Sequence, residues 1–322
     1  EQKIVGHLFV AMSLDDAQMI LNNLRNTLFV SFPLILILLF LIARLIAGRS
    51  IKPVTAITET SSNITKDNLK GRIVLPQNKD ELYTLSKTIN DLLDRIENAV
   101  EREKQFTSDA SHELRTPLTV LKGTLEVLIR KPRTQAEYEE KIAYSIKEVN
   151  RVNNLVDQLL LLARFENQKQ QLKIEKVYLN ALILDTLTMY SEKIKSKKTT
   201  VVSQFTADYY IESDHYLVAI IIGNIISNAI KYSGENTVVT IDLNKDEKGT
   251  QCIITDQGIG IAKADLDKIY NPFYRSNATN HPTIKGSGLG LSIVKRIAEL
   301  LPMDIEIFSE TGKGTKVVLS FH

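Results

Sequence analysis

The chain has 322 residues and a formal net charge of +2, so its length suggests two or three domains and its charge gives no global sign of nucleic-acid binding. A single cysteine, Cys252, excludes a disulfide framework and a cysteine-rich metal site, and its apolar neighbours indicate a buried thiol. The chain opens without methionine on a strand-like segment, residues 3–12. We interpret residues 1–27 as the end of a larger external region, with another membrane helix upstream.

A stretch without charge, rich in Leu, Ile, Phe and Val, extends from Leu28 to Ala43 and predicts a transmembrane helix over residues 28–48. It is slightly shorter than the about 20 residues that span a bilayer, but apolar residues resume after Arg44, whose side chain can reach the headgroups. A buried core helix is the alternative, and the absence of a polar face argues against it. Basic residues follow the stretch, which predicts that the chain after about residue 48 is cytoplasmic.

Two amphipathic segments follow the apolar stretch. The first runs from about Val54 to Ile64, and the second begins near Asp80, after a connector that contains Gly71 and Pro76. Apolar residues in the second segment recur at spacings of three and four, as in a coiled coil. This pair of segments, with its Pro and Asp-Glu-Leu signatures, resembles a HAMP signal-relay module over residues 49–101. A plain coiled coil next to the membrane is the alternative.

A helical hairpin is predicted next. One helical pattern extends from about Val100 to Arg130, a break follows at residues 131–134, and a second helix carries heptad-spaced apolar residues from Ile142 to Ala163. Asn153 is the polar member of that seam, a position that can set register. One hairpin buries its apolar faces poorly, whereas two form a four-helix bundle. We therefore expect a homodimer through residues 100–166.

The first helix of this hairpin carries a reactive combination of side chains. His112 can act as a nucleophile if its ring is free, and the adjacent Glu113 can orient or deprotonate that ring. Thr116 lies on the same helix face, where its hydroxyl can position a water molecule. Pro117 removes a backbone donor and is expected to bend the helix just beyond this site.

From about residue 173 the pattern changes to short strands alternating with helices, which predicts an α/β layered domain of about 150 residues. One predicted helix, His215–Tyr232, is rich in isoleucine but carries Asn224, Asn228 and Lys231 on one stripe. Such a stripe is either exposed to solvent or lines a polar site, where an amide oxygen can bind Mg²⁺ and a lysine can bind phosphate. The predicted strands are 173–177, 200–205, 237–243, 251–256, 304–309 and 315–321, and the helices are 179–197, 215–232 and 289–301.

Two glycine segments complete the predicted site. The first, beginning at Asp256, follows a strand, and its carboxylate can accept from an exocyclic amino group, although the same pattern also marks simple turns. The second, beginning at Gly286, opens a helix and is typical of a phosphate cradle, but it is neither a Rossmann fingerprint nor a P-loop. The polar residues 271–285 between them can act as a lid, with Arg275 suited to a γ-phosphate.

The string from Phe106 to Leu118 closely resembles the phosphoacceptor motif of bacterial sensor histidine kinases. The resemblance implies that His112 is phosphorylated, that Glu113 is its base and that Thr116 aligns water for phosphatase activity. It assigns residues 102–168 to a dimerisation and phosphotransfer domain of a protein in the bacterial cytoplasmic membrane.

Residues 169–322 resemble the ATP-binding α/β sandwich shared by histidine kinases, gyrase, the heat-shock chaperone and mismatch-repair ATPases. The resemblance implies ATP with Mg²⁺, the metal being held by Asn228. The resemblance also implies that the phosphoryl group passes from His112 to an aspartate of a separate response regulator. Two rivals stay open, namely an ATPase driven by conformational closure and a membrane scaffold that binds ATP without transferring it. The implied nucleotide-binding residues are Asn224, Asn228, Lys231, Tyr232, Asp256, Gly258, Gly260, Ile261, Tyr274, Gly286, Ser287, Gly288, Leu289, Gly290, Leu291 and Thr315.

Overall fold

The computed structural model describes residues 6, 15–65, 68–77, 79–166, 172–247, 249–276, 284 and 286–322, without the side chains of residues 17, 49–53, 165 and 166. Three predicted features therefore lie wholly or largely outside the described residues. These are the strand-like opening over residues 3–12, the domain boundary near residue 168 and most of the lid over residues 271–285. The chain forms two compact units, Glu1–Glu103 and Lys104–His322.

The first helix, α1, extends from Asp15 to Asn63 without interruption. Two aspartates in its first turn favour the helix start, since carboxylates stabilise the positive end of the helix dipole. Within α1, Gln18–Gly48 is long and apolar enough to cross a membrane, and its side chains are exposed in the isolated chain. The apolar segment is therefore longer than the predicted 28–48, and it is continuous with the predicted amphipathic stretch that follows.

The connector after α1 is fastened to helix α2, Glu81–Ile129, by one asparagine. The backbone N–H of the buried Ile73 donates to Asn90 Oδ1 at 2.9 Å, and Asn90 Nδ2 donates to the Ile73 carbonyl at 2.9 Å. Next to this pair, Arg72 binds the carboxylates of Asp94 and Glu97. Asp80 caps α2 by accepting from the first backbone N–H groups.

Helix α3, Gln135–Glu166, follows α2 after a short break, as predicted for the second helix of the hairpin. A capping box starts α3, in which the Thr134 N–H donates to Glu137 Oε2 at 2.9 Å and the Glu137 N–H donates to Thr134 Oγ1 at 3.3 Å. The heptad residues predicted as a seam are 38–56% exposed, so a single chain leaves this apolar face uncovered. They are Ile142, Ile146, Val149, Val156 and Leu160.

The remainder of the chain is a layered α/β domain, as predicted. A five-stranded sheet has the order β2-β4-β5-β7-β6, parallel only between β2 and β4, and β1 pairs with β3 in a separate antiparallel ladder. The strands are β1 Ile174–Tyr178, β2 Thr200–Phe205, β3 Tyr210–Asp214, β4 Val238–Asp246, β5 Gly249–Asp256, β6 Met303–Glu310 and β7 Gly314–Phe321. The helices are α4 Leu179–Met189, α5 Ser191–Lys197, α6 His215–Tyr232 and α7 Gly290–Ala298.

The core lies between one face of the large sheet and the helices α4, α6 and α7. Alternate residues of β4 and β5 are buried, and α6 contributes five fully buried isoleucines because its apolar stripe is unusually wide. Cys252 of β5 is buried as predicted, and burial raises the pKa of its thiol to about 12.

The structure differs from the sequence prediction in two elements of this domain. The helix predicted over 179–197 is broken at Tyr190 into α4 and α5, where the backbone leaves helical geometry. Strand β3 was not predicted, because its exposed residues are aromatic or acidic and it is buried only at Ile211 and Ser213. Strand β3 forms through its pairing with β1, which is a contact between distant parts of the chain.

Candidate functional site

Helix α6 forms the centre of the site. Asp214 caps its start by accepting from the Leu217 N–H at 3.1 Å. At its other end, Lys197 Nζ donates to the carbonyls of Ile230, Lys231 and Ser233 at 2.7–3.0 Å. Burial is the main cause of a lowered pKa for Lys197. These contacts hold both ends of the helix that carries the polar stripe.

An inner cavity of about 100 Å³ lies between α6 and the sheet, with Asp256 among its lining residues. Asp256 Oδ1 accepts from the N–H groups of Gly258 at 2.8 Å and Thr315 at 3.1 Å. Burial raises the pKa of Asp256, whereas these two backbone donors act in the opposite direction. The second carboxylate oxygen is not used by these bonds, so Asp256 can accept from a donor group in this cavity. The apolar wall comprises Ile225, Ala229, Ile254, Ile307 and Val317.

Glycine is required at two positions around the cavities. At Gly260, with φ of +66°, an added Cβ would lie 2.0 Å from the Glu310 carbonyl oxygen. At Gly288, with φ of +74°, an added Cβ would lie 2.6 Å from the Phe273 carbonyl carbon. A side chain at either position would collide with backbone in a conformation that disfavours L-residues. The two glycine segments thus have close backbone approaches, as their sequence predicts.

A larger outer cavity of about 820 Å³ lies between α6, the second glycine segment and the hairpin formed by α2 and α3. Asn224, Asn228 and Lys231 all line it, so the polar stripe faces a cavity rather than bulk solvent. Lys231 Nζ donates to the Tyr232 hydroxyl at 3.1 Å. Asn228 and Tyr232 line both cavities and therefore mark where they adjoin.

The hairpin contributes Glu113 and the buried Pro117 to the outer cavity. His112 is exposed and does not line it. The Thr116 hydroxyl donates to the His112 carbonyl at 3.1 Å, as threonine commonly does within helices. The cavity therefore reaches the residue adjacent to the predicted acceptor, but it does not include the acceptor itself.

The second glycine segment is bound directly to the hairpin. Ser287 Oγ donates to Gln158 Oε1 of α3 at 2.9 Å, and the rings of Phe106 and Phe273 lie 5.5 Å apart between centroids. Leu155 of α3 is buried in the same cluster as the core of the α/β domain. These contacts place the phosphate-cradle candidate against α3.

Arg275, predicted to bind the γ-phosphate, lies at the inner cavity. It lines the inner cavity rather than the outer one, and its guanidinium donates to the Ile284 carbonyl. The neighbouring Tyr274 lines both cavities and donates its hydroxyl to Asp265 Oδ1 at 2.8 Å. In this structure Arg275 is therefore not grouped with Lys231 and the second glycine segment.

Most of the other predicted residues lie at one cavity or both. Gly258 instead supports Asp256 through its N–H, and Leu289 is fully buried in the core. The outer cavity is lined by Gly286, Ser287, Gly288, Gly290 and Leu291, and the inner cavity by Gly260, Ile261, Leu291 and Thr315. The sequence analysis missed the apolar wall, whose residues have the same pattern as ordinary core residues, and Tyr190 and Lys193 of the outer cavity.

Three family models match the chain. Residues 45–98 match the HAMP domain, residues 102–168 the His Kinase A (phospho-acceptor) domain, and residues 213–322 the histidine kinase-, DNA gyrase B- and HSP90-like ATPase. The three matches cover the relay segment, the hairpin and the part of the α/β domain that carries both cavities.

Curated relatives are similar over most of the chain. The signal transduction histidine-protein kinase ArlS of Staphylococcus epidermidis is 32% identical over 271 residues, which is 84% of this chain and 59% of ArlS. The sensor protein CzcS of Cupriavidus metallidurans is 27% identical over 314 residues, 98% of this chain and 66% of CzcS. The chain thus spans about three fifths to two thirds of the length of these relatives.

Solved structures have a similar fold. The Acinetobacter baumannii histidine kinase AdeS matches with a TM-score of 0.53 and 24% identity, over 65% of this chain and 97% of that one. Full-length ShkA in complex with AMPPNP matches with a TM-score of 0.51 and 22% identity, over 67% of this chain and 45% of that one. At these identities the likeness concerns the fold alone.

Proposed function

Because this chain belongs to the family of two-component sensor histidine kinases, we propose that it transfers the γ-phosphoryl group of ATP to its own His112. The phosphoryl group then passes to an aspartate of a response regulator. The observation that carries this proposal is the pair of adjoining cavities, one of which contains Asp256 and the other Glu113.

The inner cavity suits adenine. Its apolar wall can contact both faces of a flat base, and the unused Asp256 oxygen can accept from the exocyclic amino group. A buried carboxylate without such a donor is costly, which favours a ligand that carries one. Thr315, whose N–H holds Asp256, lines the same cavity.

The outer cavity suits the phosphates. Backbone around the second glycine segment, the Lys231 ammonium and the Asn224 and Asn228 amides line it together. An amide oxygen is a hard ligand, so Asn228 would hold Mg²⁺ together with the phosphates. The metal ion would neutralise phosphate charge when bound. Ser287 and Lys231 would orient the phosphate chain.

In the transfer step an imidazole nitrogen of His112 attacks the γ-phosphorus, and the bond from that phosphorus to the β–γ bridging oxygen breaks. ADP leaves with the electron pair of that bond, and Glu113 accepts the proton from the imidazole ring. Arg275 would stabilise the γ-phosphate after it moves with the lid. Since His112 lies outside the outer cavity, the transfer requires a rearrangement of the α/β domain relative to the hairpin.

The remaining assignments belong to the same proposal. The uncovered heptad face of α3 supports a homodimer through residues 100–166, and Gln18–Gly48 supports insertion in the cytoplasmic membrane. We assign residues 49–101 to the relay module, 102–168 to the phosphotransfer domain and 169–322 to the ATP-binding domain. Thr116 would position water for dephosphorylation of the regulator.

The test is autophosphorylation of the full chain with labelled ATP. His112→Gln should abolish the acid-labile phosphoprotein while ATP binding survives, and the exposed His215→Gln should behave as wild type. Asn228→Ala should lose binding of Mg-ATP. Labelled phosphate on the His112→Gln protein would contradict the acceptor assignment, and steady release of phosphate without phosphoprotein would favour a simple ATPase.

A further inference from the structure

Charged side chains other than the predicted phosphate-binding Lys231 also line the outer cavity. Lys193 and Lys231 come from the α/β domain, whereas Lys147 and Arg151 come from α3. Three carboxylates, Glu113, Glu148 and Asp157, also line the cavity. The question for each cation is whether it already has a partner.

Two of these cations have partners. Arg151 pairs with the buried Glu148 of its own helix at 3.7 Å, and Lys231 binds the Tyr232 hydroxyl. Lys193 and Lys147, by contrast, have no salt bridge within the described part of the chain. Of these two, Lys193 comes from the same domain as the second glycine segment, and its ammonium lies 5.3 Å from the centre of the Tyr190 ring. A cation over an aromatic face keeps its charge available, because the ring neutralises none of it.

The break between α4 and α5 explains why Lys193 lies there. Tyr190 is the residue at which the two helices separate, and Lys193 is in the first turn of α5. Both Tyr190 and Lys193 line the outer cavity, together with Asn228, Lys231 and Ser287. A lysine has a flexible four-carbon stem, so its ammonium can reach across such a cavity.

We propose that Lys193 is a further phosphate-binding residue, which contacts the polyphosphate chain of ATP from the side opposite the second glycine segment. This inference rests on the proposed function, since it requires ATP in the adjoining cavities. The next lysine of α5, Lys195, is exposed and does not line the cavity. Residues two positions apart do not share a helix face, so Lys195 is a matched control.

The experiment measures binding of Mg-ATP, ADP and adenosine to the full chain in lipid nanodiscs by calorimetry. Lys193→Ala should weaken ATP binding about fivefold, as expected for one partly solvated ion pair, and leave adenosine binding unchanged. Lys193→Arg should restore most of the affinity for ATP, because it keeps the positive charge. Lys195→Ala should match wild type with all three ligands.

The effect on catalysis separates phosphate binding from a structural role. Lys193→Ala should raise the KM for ATP in autophosphorylation more than it lowers kcat. Unchanged ATP affinity in Lys193→Ala would overturn the proposal, and so would equal losses for ATP and adenosine. Phosphohistidine formation by wild type and Lys195→Ala is measured in parallel. If it is present in either of these cases, the Lys193 assignment fails and the proposed function stands, whereas its absence would contradict the proposed function itself.

Discussion

The Ser287 hydroxyl donates a 2.9 Å hydrogen bond to Gln158 Oε1, and this bond connects the second glycine segment to helix α3 of the hairpin. Both residues line the outer cavity. The hydroxyl of Ser287, which belongs to the candidate phosphate-binding segment, is therefore engaged by Gln158 rather than free to bind a phosphate. The same contact region includes the rings of Phe106 and Phe273. The proposed transfer to His112 requires the α/β domain to move relative to the hairpin, so we expect this contact to be released in that step.

Removal of the Gln158 acceptor is expected to increase autophosphorylation. Gln158→Leu cannot accept from Ser287, and the loss of one hydrogen bond corresponds to about a threefold higher initial rate. Gln135→Leu, at the exposed start of the same helix and outside the outer cavity, is the control and should retain the wild-type rate. The measurement is the initial rate of phosphohistidine formation, and equal rates in all three proteins would refute the coupling.

Asp256→Asn is expected to weaken ATP binding. In the Asp256→Asn variant the side-chain oxygen must stay at Oδ1, because the Gly258 and Thr315 N–H groups donate there. The new amide NH₂ then takes the place of the second carboxylate oxygen and faces the exocyclic amino group of adenine, which is also a donor. Two opposed donors in a buried cavity should reduce ATP affinity roughly 30-fold, or about 2 kcal/mol. Asp242→Asn, on the other face of the sheet, serves as the control in the same titration, which should give wild-type affinity.

The same substitution is expected to stabilise the protein in a pH-dependent manner. Burial raises the pKa of Asp256 above its usual value of 3.8, so the folded chain binds this proton more tightly than the unfolded chain does. The stabilising effect of a protonated Asp256 is therefore fully present below the unfolded pKa of this carboxyl. It is lost as pH rises through the folded pKa, since the buried carboxyl then becomes charged. Asp256→Asn should raise the Tm near pH 7, and the gain should shrink as pH falls through the raised pKa of Asp256 toward 3.8. A Tm difference that is constant across this range would contradict the role of burial.

Lys197→Met is expected to destabilise the α/β domain. Three carbonyl oxygens at the end of α6 would lose their shared donor, which should lower the free energy of unfolding by about 1–3 kcal/mol. Thermal unfolding monitored by circular dichroism provides the measurement. The exposed Lys195→Met should leave the Tm within error, and an equal decrease in both variants would show that the three contacts contribute little.

Elements with a strong local pattern were predicted from the sequence. The hairpin and helix α6 follow from apolar periodicity, and strand β2 was predicted over the same residues, 200–205, from a segment that starts with three β-branched residues. Strand β3 and the break at Tyr190 were not predicted, because β3 depends on pairing with β1 and the break lies inside a segment of continuous helical character. Local propensity carries no information about such contacts.

The sequence by itself determined which chemistry is present, since the strings around His112, Asn228, Asp256 and Gly286 each combine residue types with a specific reactivity. Only the tertiary structure decided how these strings meet. It groups Asn228 with Lys231 and Gly288, assigns Arg275 to the inner cavity, and brings Lys193 and Gln158 to the outer one. The physical reason is that cavities form between elements distant in sequence, whereas periodicity and spacing describe only residues a few positions apart.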